Sequence, residues 1–131
     1  MAAEPPDFLL LQTRSPLVVR DLDLLAQLGD PVRVSMTVET DLEEVRKHFT
    51  PTAPPIQGRW RALQMLQAAG IPAQVAVAPV LPFTKHFPAR LRRLVRRVVI
   101  DDYFLGDGSG GKRTRSLQIE KLYKQFGQEA W

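Results

Sequence analysis

Few residues of this chain carry chemistry by type and spacing. There is no cysteine, and the two histidines are His48 and His86. Without thiols the chain's own residues cannot form a disulfide, a thiolate zinc site, a thiol nucleophile or an iron–sulfur cluster. No acidic residue stands at a metal-ligand spacing from either histidine, so both read as surface or capping residues. Asp101-Asp102 is a carboxylate pair, but neighbours on a strand point to opposite faces. The two are therefore expected to act as single ligand contacts rather than to share a proton. Gly106-Asp107-Gly108-Ser109-Gly110-Gly111-Lys112 matches the opening of a phosphate-binding loop. Arg113 then stands where a magnesium-binding hydroxyl is required, and the next helix is expected only from Ser116, so the stretch reads as a glycine turn.

Positive charge is the other resource. Residues 1–80 hold seven Lys/Arg and nine Asp/Glu, a net −2, while residues 81–131 hold eleven and five, a net +6. Arg90, Arg92, Arg93, Arg96 and Arg97, with Lys112, Arg113 and Arg115, suit the phosphates of a nucleic acid. Aromatic platforms nearby are limited to Phe87, Tyr103 and Phe104, and the plainer reading is a solvated basic helix face.

The elements that must position these residues alternate between short β-rich runs and amphipathic helices. Asp7 to Thr13 predicts a buried strand. Ser15-Pro16 caps a helix whose broad apolar face is read as Leu17, Val18, Asp21, Leu22, Leu24, Leu25 and Leu28, stopped by Gly29. Val32 to Glu39 predicts the second strand. Thr40-Asp41-Leu42-Glu43 has the form of a capping box for a helix to about Phe49, and the prolines of Thr50 to Pro55 dictate a loop. Gln57 to Ala69 is the clearest helix, with Trp60, Leu63, Met65 and Leu66 near one face and Gly70 as its stop. Val75 to Leu81 and Val98 to Phe104 predict the last strands, with a basic helix at Phe87 to Arg96 between them and a closing helix at Ser116 to Phe126.

Strands separated by helices require parallel pairing through right-handed crossovers. The fold class is α/β, a single domain over residues 1–131. Four βα units are too few for a closed barrel, which takes about 250 residues. The expected form is an incomplete TIM-type barrel with open sheet edges, and those edges imply self-association. Parity on the second strand puts Val32, Val34, Met36 and Val38 under helices and turns Arg33, Ser35, Thr37 and Glu39 to the opposite, concave side. Ligands of parallel sheets gather at the carboxyl ends of strands, here Thr13-Arg14-Ser15, Thr37-Val38-Glu39, Pro79-Val80-Leu81-Pro82 and Asp101-Asp102-Tyr103. A cation, hydroxyls and carboxylates together suit a zwitterionic, nucleoside-like ligand.

In order along the chain, Thr13-Arg14-Ser15-Pro16-Leu17-Val18-Val19-Arg20-Asp21, Val34-Ser35-Met36-Thr37, Phe49-Thr50-Pro51, Ala53-Pro54-Pro55, Arg59 and Ala62-Leu63 before Ala69-Gly70-Ile71-Pro72, Val77-Ala78-Pro79-Val80-Leu81-Pro82 and Asp101-Asp102-Tyr103 closely resemble successive segments of spore-photolyase-like radical S-adenosylmethionine proteins. The resemblance covers about Pro5 to Tyr123. It implies a partial barrel of six units, of which this chain supplies roughly the last four. It also implies S-adenosylmethionine as cofactor. Arg14 matches a basic residue that holds the cofactor carboxylate, with arginine in place of lysine, and Ser35 matches a serine on the following strand. Pro79 lies in the strand that flanks the adenine, and Thr37 and Glu39 extend the polar contacts. The family's Cys-x3-Cys-x2-Cys motif has no counterpart here, so a 4Fe-4S cluster belongs to the complete enzyme only and the isolated chain is expected to be inactive. Met1-Ala-Ala-Glu-Pro-Pro-Asp reads like family sequence continuing from upstream, which implies a truncated product.

The rival expectation is a non-catalytic nucleic-acid-binding α/β module acting through Arg92, Arg93, Arg96 and Arg97. No basic leader and no apolar run of roughly 20 residues is present, so the sequence reads as cytoplasmic, with no membrane partner.

Overall fold

The alternation along residues 32–39 sets the centre of the molecule. In a computed structural model, which describes residues 4, 6–103 and 107–127, four strands form one sheet: β1 Leu9–Thr13, β2 Val32–Thr37, β3 Ala73–Val77 and β4 Val98–Ile100. Their order is β1-β2-β3-β4 and every pair is parallel, with Leu9 opposite Val32, Val34 opposite Ala73 and Val75 opposite Val98. Val32, Val34, Met36 and Val38 are buried against Val18, Leu25, Trp60, Leu63, Leu66, Phe87 and Leu91 of the crossover helices. The apolar parity is thus covered as expected. Leu10, Gln12, Arg33, Ser35, Thr37, Gln74, Ala76 and Val99 share the opposite parity and face away from that layer. At its centre Ser35, Thr37, Gln74 and Ala76 are nonetheless buried, while Leu10 and Val99 on the outer strands are exposed.

Each crossover differs in detail from the sequence expectation. Between β1 and β2, Ser15 accepts from the Leu17 amide and Pro16 opens a 3-10 helix, Pro16–Asp21, before α1, Leu22–Leu28. Three residues per turn in the first piece and 3.6 in the second rotate the apolar stripe. Val18 and Leu25 are buried, whereas Leu17 and Leu24 stand 58% and 54% exposed. Gly29, with φ of 68°, makes the turn into β2 that a side chain would resist.

The link from β2 to β3 contains α2, Glu43–Phe49, and α3, Ile56–Ala68. The capping box does not form. Thr40 accepts from the Leu42 amide at 3.0 Å and donates to the Pro82 carbonyl at 2.6 Å, while Glu43 turns to Arg46 and to the Ile56 amide. A long-range partner has replaced the local one. On α3, Trp60, Ala62, Leu63 and Leu66 are buried and Met65 is exposed; each buried large side chain contributes roughly 1.5–3 kcal/mol of transfer free energy.

α4, Phe87–Leu94, joins β3 to β4. Val95 is already extended, so Arg96 and Arg97 leave the helix and do not share a face with Arg92 and Arg93. The expected single closing helix is two: α5, Lys112–Ser116, and α6, Ile119–Gln125, broken where Gln118 takes a φ of 54°. Neither joins the crossover layer. Ile119 and Tyr123 form a second apolar cluster with Val45 and Leu81, and the Tyr123 hydroxyl donates to the Val80 carbonyl. The chain after β4 therefore packs over the carboxyl end of the sheet, and Ile100 is left 70% exposed on the helix side of β4. The expected strand ends at Leu81 and Phe104 retract to Val77 and Ile100, and Phe104 lies outside the described residues. Among the described residues no helix is long and apolar enough to cross a membrane.

Candidate functional site

Beyond the carboxyl ends of β1 and β2 the sequence places charges that the fold must compensate. Arg59, on α3, is fully buried. One of its nitrogens donates to Glu39 Oε2 at 2.7 Å and to the Thr37 carbonyl at 3.0 Å, and the other two donate to the Pro54 carbonyl at 3.0 and 2.7 Å. The Glu39 side chain is 1% exposed, and its second oxygen, Oε1, has no hydrogen-bond partner among the described residues. Arg14 Nη2 lies 3.4 Å from that oxygen, with the Arg14 side chain 47% exposed. One buried carboxylate is thus set between two guanidinium groups, leaving an excess positive charge on the solvent side.

The remaining expected site residues take distinct positions. Ser35 accepts a hydrogen bond from the Gln74 amide at 3.1 Å inside the sheet face, and Thr37 is buried, its carbonyl engaged by Arg59. Pro79 lies apart from them, at the end of β3, on the wall of a cleft of about 400 Å³. Ala78 and Pro79 give this cleft an apolar side, Asp101, Asp102 and Tyr103 enter from the end of β4, and Arg113 of α5 and Leu117 just after it close the cleft. Asp101 and Asp102 were expected on opposite faces of a strand. Because β4 ends at Ile100, both reach the same cleft, where Asp101 also accepts from the Asp102 amide at 2.9 Å. Tyr103 links the two halves of the site: burial, and then the nearby Glu39 charge, push its hydroxyl above the usual tyrosine range. It remains a neutral donor.

The glycine-rich loop is built around a carboxylate rather than a phosphate. Asp107 accepts from the amides of Ser109 at 2.7 Å, Gly111 at 3.0 Å and Thr114 at 3.2 Å, and from the hydroxyls of Ser109 and Thr114. The donors that a phosphate would need are already engaged. Gly111, at φ of 81°, supplies the left-handed turn in front of α5. Partial burial works against ionisation of Asp107, yet these amides and hydroxyls outweigh it and hold the carboxyl well below the ordinary carboxylate range. A depressed native pKa gives stabilisation that is complete above the unfolded value of 3.8 and is lost as pH falls below it. The Gly111 and Thr114 amides should therefore lose protection from hydrogen exchange between about pH 4 and lower values. Asp107→Asn should remove that dependence, and unchanged protection in both arms would contradict the assignment.

His48 is exposed and packs edge-on against the rings of Phe49 and Phe126, at 5.7 Å from each, and His86 precedes α4. Among the described residues no group of three or more His, Asp or Glu is arranged to hold a metal. Arg92, Arg93, Arg96 and Arg97 are exposed, and none has an ion-pair partner among the described residues. Sequence reasoning gave no role to Thr114, read Asp107 only as part of a glycine turn, placed Gln74 on a strand face without its partner Ser35, and placed Arg59 on a helix without its ion pair. Their partners lie several residues to several elements away.

No family model and no solved structure matches this chain. A stretch of 76 residues, 58% of the chain, is 38% identical to the uncharacterized protein ORF301 of Acidianus two-tailed virus. That stretch covers 25% of the viral protein, so the chain corresponds to about a quarter of the relative's length.

Proposed function

We propose that this chain is the cofactor-binding portion of a radical S-adenosylmethionine-type partial barrel, and that the cleft at the carboxyl ends of β3 and β4 takes the adenosyl ligand. A sequential, all-parallel strand order with the crossover helices on one face is the arrangement of βα units in a barrel. The observation that carries the reading is the cleft itself, which combines an apolar wall at Ala78 and Pro79 with the carboxylates of Asp101 and Asp102. Pro79 and Ala78 would lie against the adenine, and Asp101 and Asp102 would accept from ribose hydroxyls or the ligand's amine. Arg14, whose charge Glu39 shares with Arg59, retains the capacity to hold a carboxylate. Ser35, Thr37 and Glu39 do not line that cleft and would act indirectly, by fixing Gln74, Arg59 and Arg14. The 4Fe-4S cluster of such enzymes needs three thiolates, and a chain without cysteine does not fit it. The reading therefore concerns binding of the cofactor and not its cleavage.

Calorimetric titration with S-adenosylmethionine tests this. The wild-type chain should bind, and Arg14→Ala and Asp101→Ala should each weaken binding by about tenfold, or 1.4 kcal/mol. Absence of heat, or wild-type affinity in both variants, would overturn it.

A second reading, binding of nucleic acid through the basic segment, is favoured by one observation. Arg92, Arg93, Arg96 and Arg97 stand exposed and unpaired among the described residues. On that reading affinity for an oligonucleotide falls steeply with salt and falls again on replacing Arg92 and Arg96 by Ala.

A further inference from the structure

The two edges of the sheet differ in charge and in shape. At the β4 edge, Val98 packs against the core but Ile100, on the same helix side, is left 70% exposed because α5 and α6 pack elsewhere. Phe83, Phe87, Leu91, Val95, Val98 and Ile100 line a groove of about 470 Å³ there, and Arg92 and Arg96 stand on its rim. Residues 85–100 hold six Lys/Arg and no Asp/Glu. At the β1 edge, the 3-10 helix and α1 present the exposed side chains of Leu17 and Leu24, with Asp21 and Asp23 exposed beside them. Residues 17–30 hold three Asp and one Arg. Asp21 and Asp23 have no ion-pair partner among the described residues, and neither do Arg92 and Arg96. Beyond these helices, β1 and β4 each pair on one side only among the described strands.

We propose that two copies of this chain associate edge to edge, β4 of each beside β1 of the other, with Leu17 and Leu24 of one copy seated against the apolar groove of the other. Carboxylates then meet guanidinium groups: Asp21 and Asp23 face Arg92 and Arg96, and the exposed Ile100 is covered. Parallel strands in the order β1-β2-β3-β4 can be continued by β1 of a second copy without reversing direction. Two four-stranded arcs joined at both edges close a sheet of eight strands, the number at which a parallel βα sheet forms a barrel. The two-fold axis runs along the barrel, and every edge is used. Closure satisfies the unpaired amides that an open edge exposes, and it turns the face of Leu10, Gln12, Arg33 and Val99 inward.

Light scattering on the full chain across concentration and salt tests this. The wild-type chain should run as a dimer, and Leu24→Asp or Ile100→Asp should each give a monomer whose circular dichroism is unchanged. Charge reversal supplies the sharper test. A chain carrying Arg92→Asp and Arg96→Asp should be monomeric, as should a chain carrying Asp21→Arg and Asp23→Arg. Mixing the two should restore the dimer, since both edges of the mixed pair are again complementary. A monodisperse wild-type monomer, an open-ended series of larger species, or a dimer indifferent to these substitutions would overturn the proposal.

Discussion

Replacing Arg59 by Met should lower the unfolding free energy by about 3–5 kcal/mol, the cost of leaving a buried charge without its partner. Arg59 is inaccessible to solvent and gives four hydrogen bonds, two of them to the Pro54 carbonyl. Methionine fills similar space but leaves Glu39 buried, with Arg14 at 3.4 Å as its remaining cation. Replacing Arg14 by Ala should cost far less, about 0–1 kcal/mol, because that side chain is half exposed and its pair is screened by water. Urea denaturation of the two variants separates these cases. Equal midpoints would mean that the carboxylate is not held as described. The ranking also matters for function, since a ligand effect at Arg14 can be read without a folding defect.

The second large effect is expected at Trp60. Its ring is buried on α3, edge-on to Phe87 at 6.1 Å, and the Arg90 guanidinium lies 4.3 Å from its centre. Trp60→Ala should cost about 3–5 kcal/mol through lost transfer energy and a residual cavity. Trp60→Phe should cost much less than that. It removes an indole nitrogen that is buried without a partner among the described residues, and a buried unsatisfied donor is itself worth about 1–3 kcal/mol. The gain offsets part of the lost volume. Thermal melts of both variants provide the check, and a Phe variant as unstable as the Ala variant would show that the nitrogen is satisfied in solution.

How far the sequence was legible depends on the range of the forces involved. The period-2 pattern of Val32, Val34, Met36 and Val38 announced a covered strand, and the alternation of elements announced a parallel sheet, because both follow from local geometry and burial. Ser15, Pro16, Gly29 and Gly70 marked turns and helix ends through backbone preferences that need no distant partner. What failed was decided across the chain. Glu43 does not reach back to Thr40 but accepts from Arg46 and from the Ile56 amide, 13 residues away, while the Thr40 hydroxyl also donates to the Pro82 carbonyl, 42 residues away. Arg59 stands among the residues that carry the resemblance, but its contacts with Thr37, Glu39 and Pro54 are set by tertiary packing that the sequence does not display. Met65 and Leu24 sit close to apolar stripes, and small rotations of the helix leave them in water. In the candidate site the pattern was similar. Pro79, Asp101 and Asp102 were legible as strand ends, but their meeting with Arg113 across one cleft depends on where β4 stops and how α5 returns.

The central claim concerns where an adenosyl ligand binds, and chemical-shift mapping of the isotopically labelled chain addresses it most directly. On titration with S-adenosylmethionine, the account predicts that amide shifts concentrate at Ala78, Asp101 to Tyr103 and Arg113 to Leu117, with a further response at Arg14. Shifts confined to the amino ends of the strands, or none at saturating ligand, would contradict it.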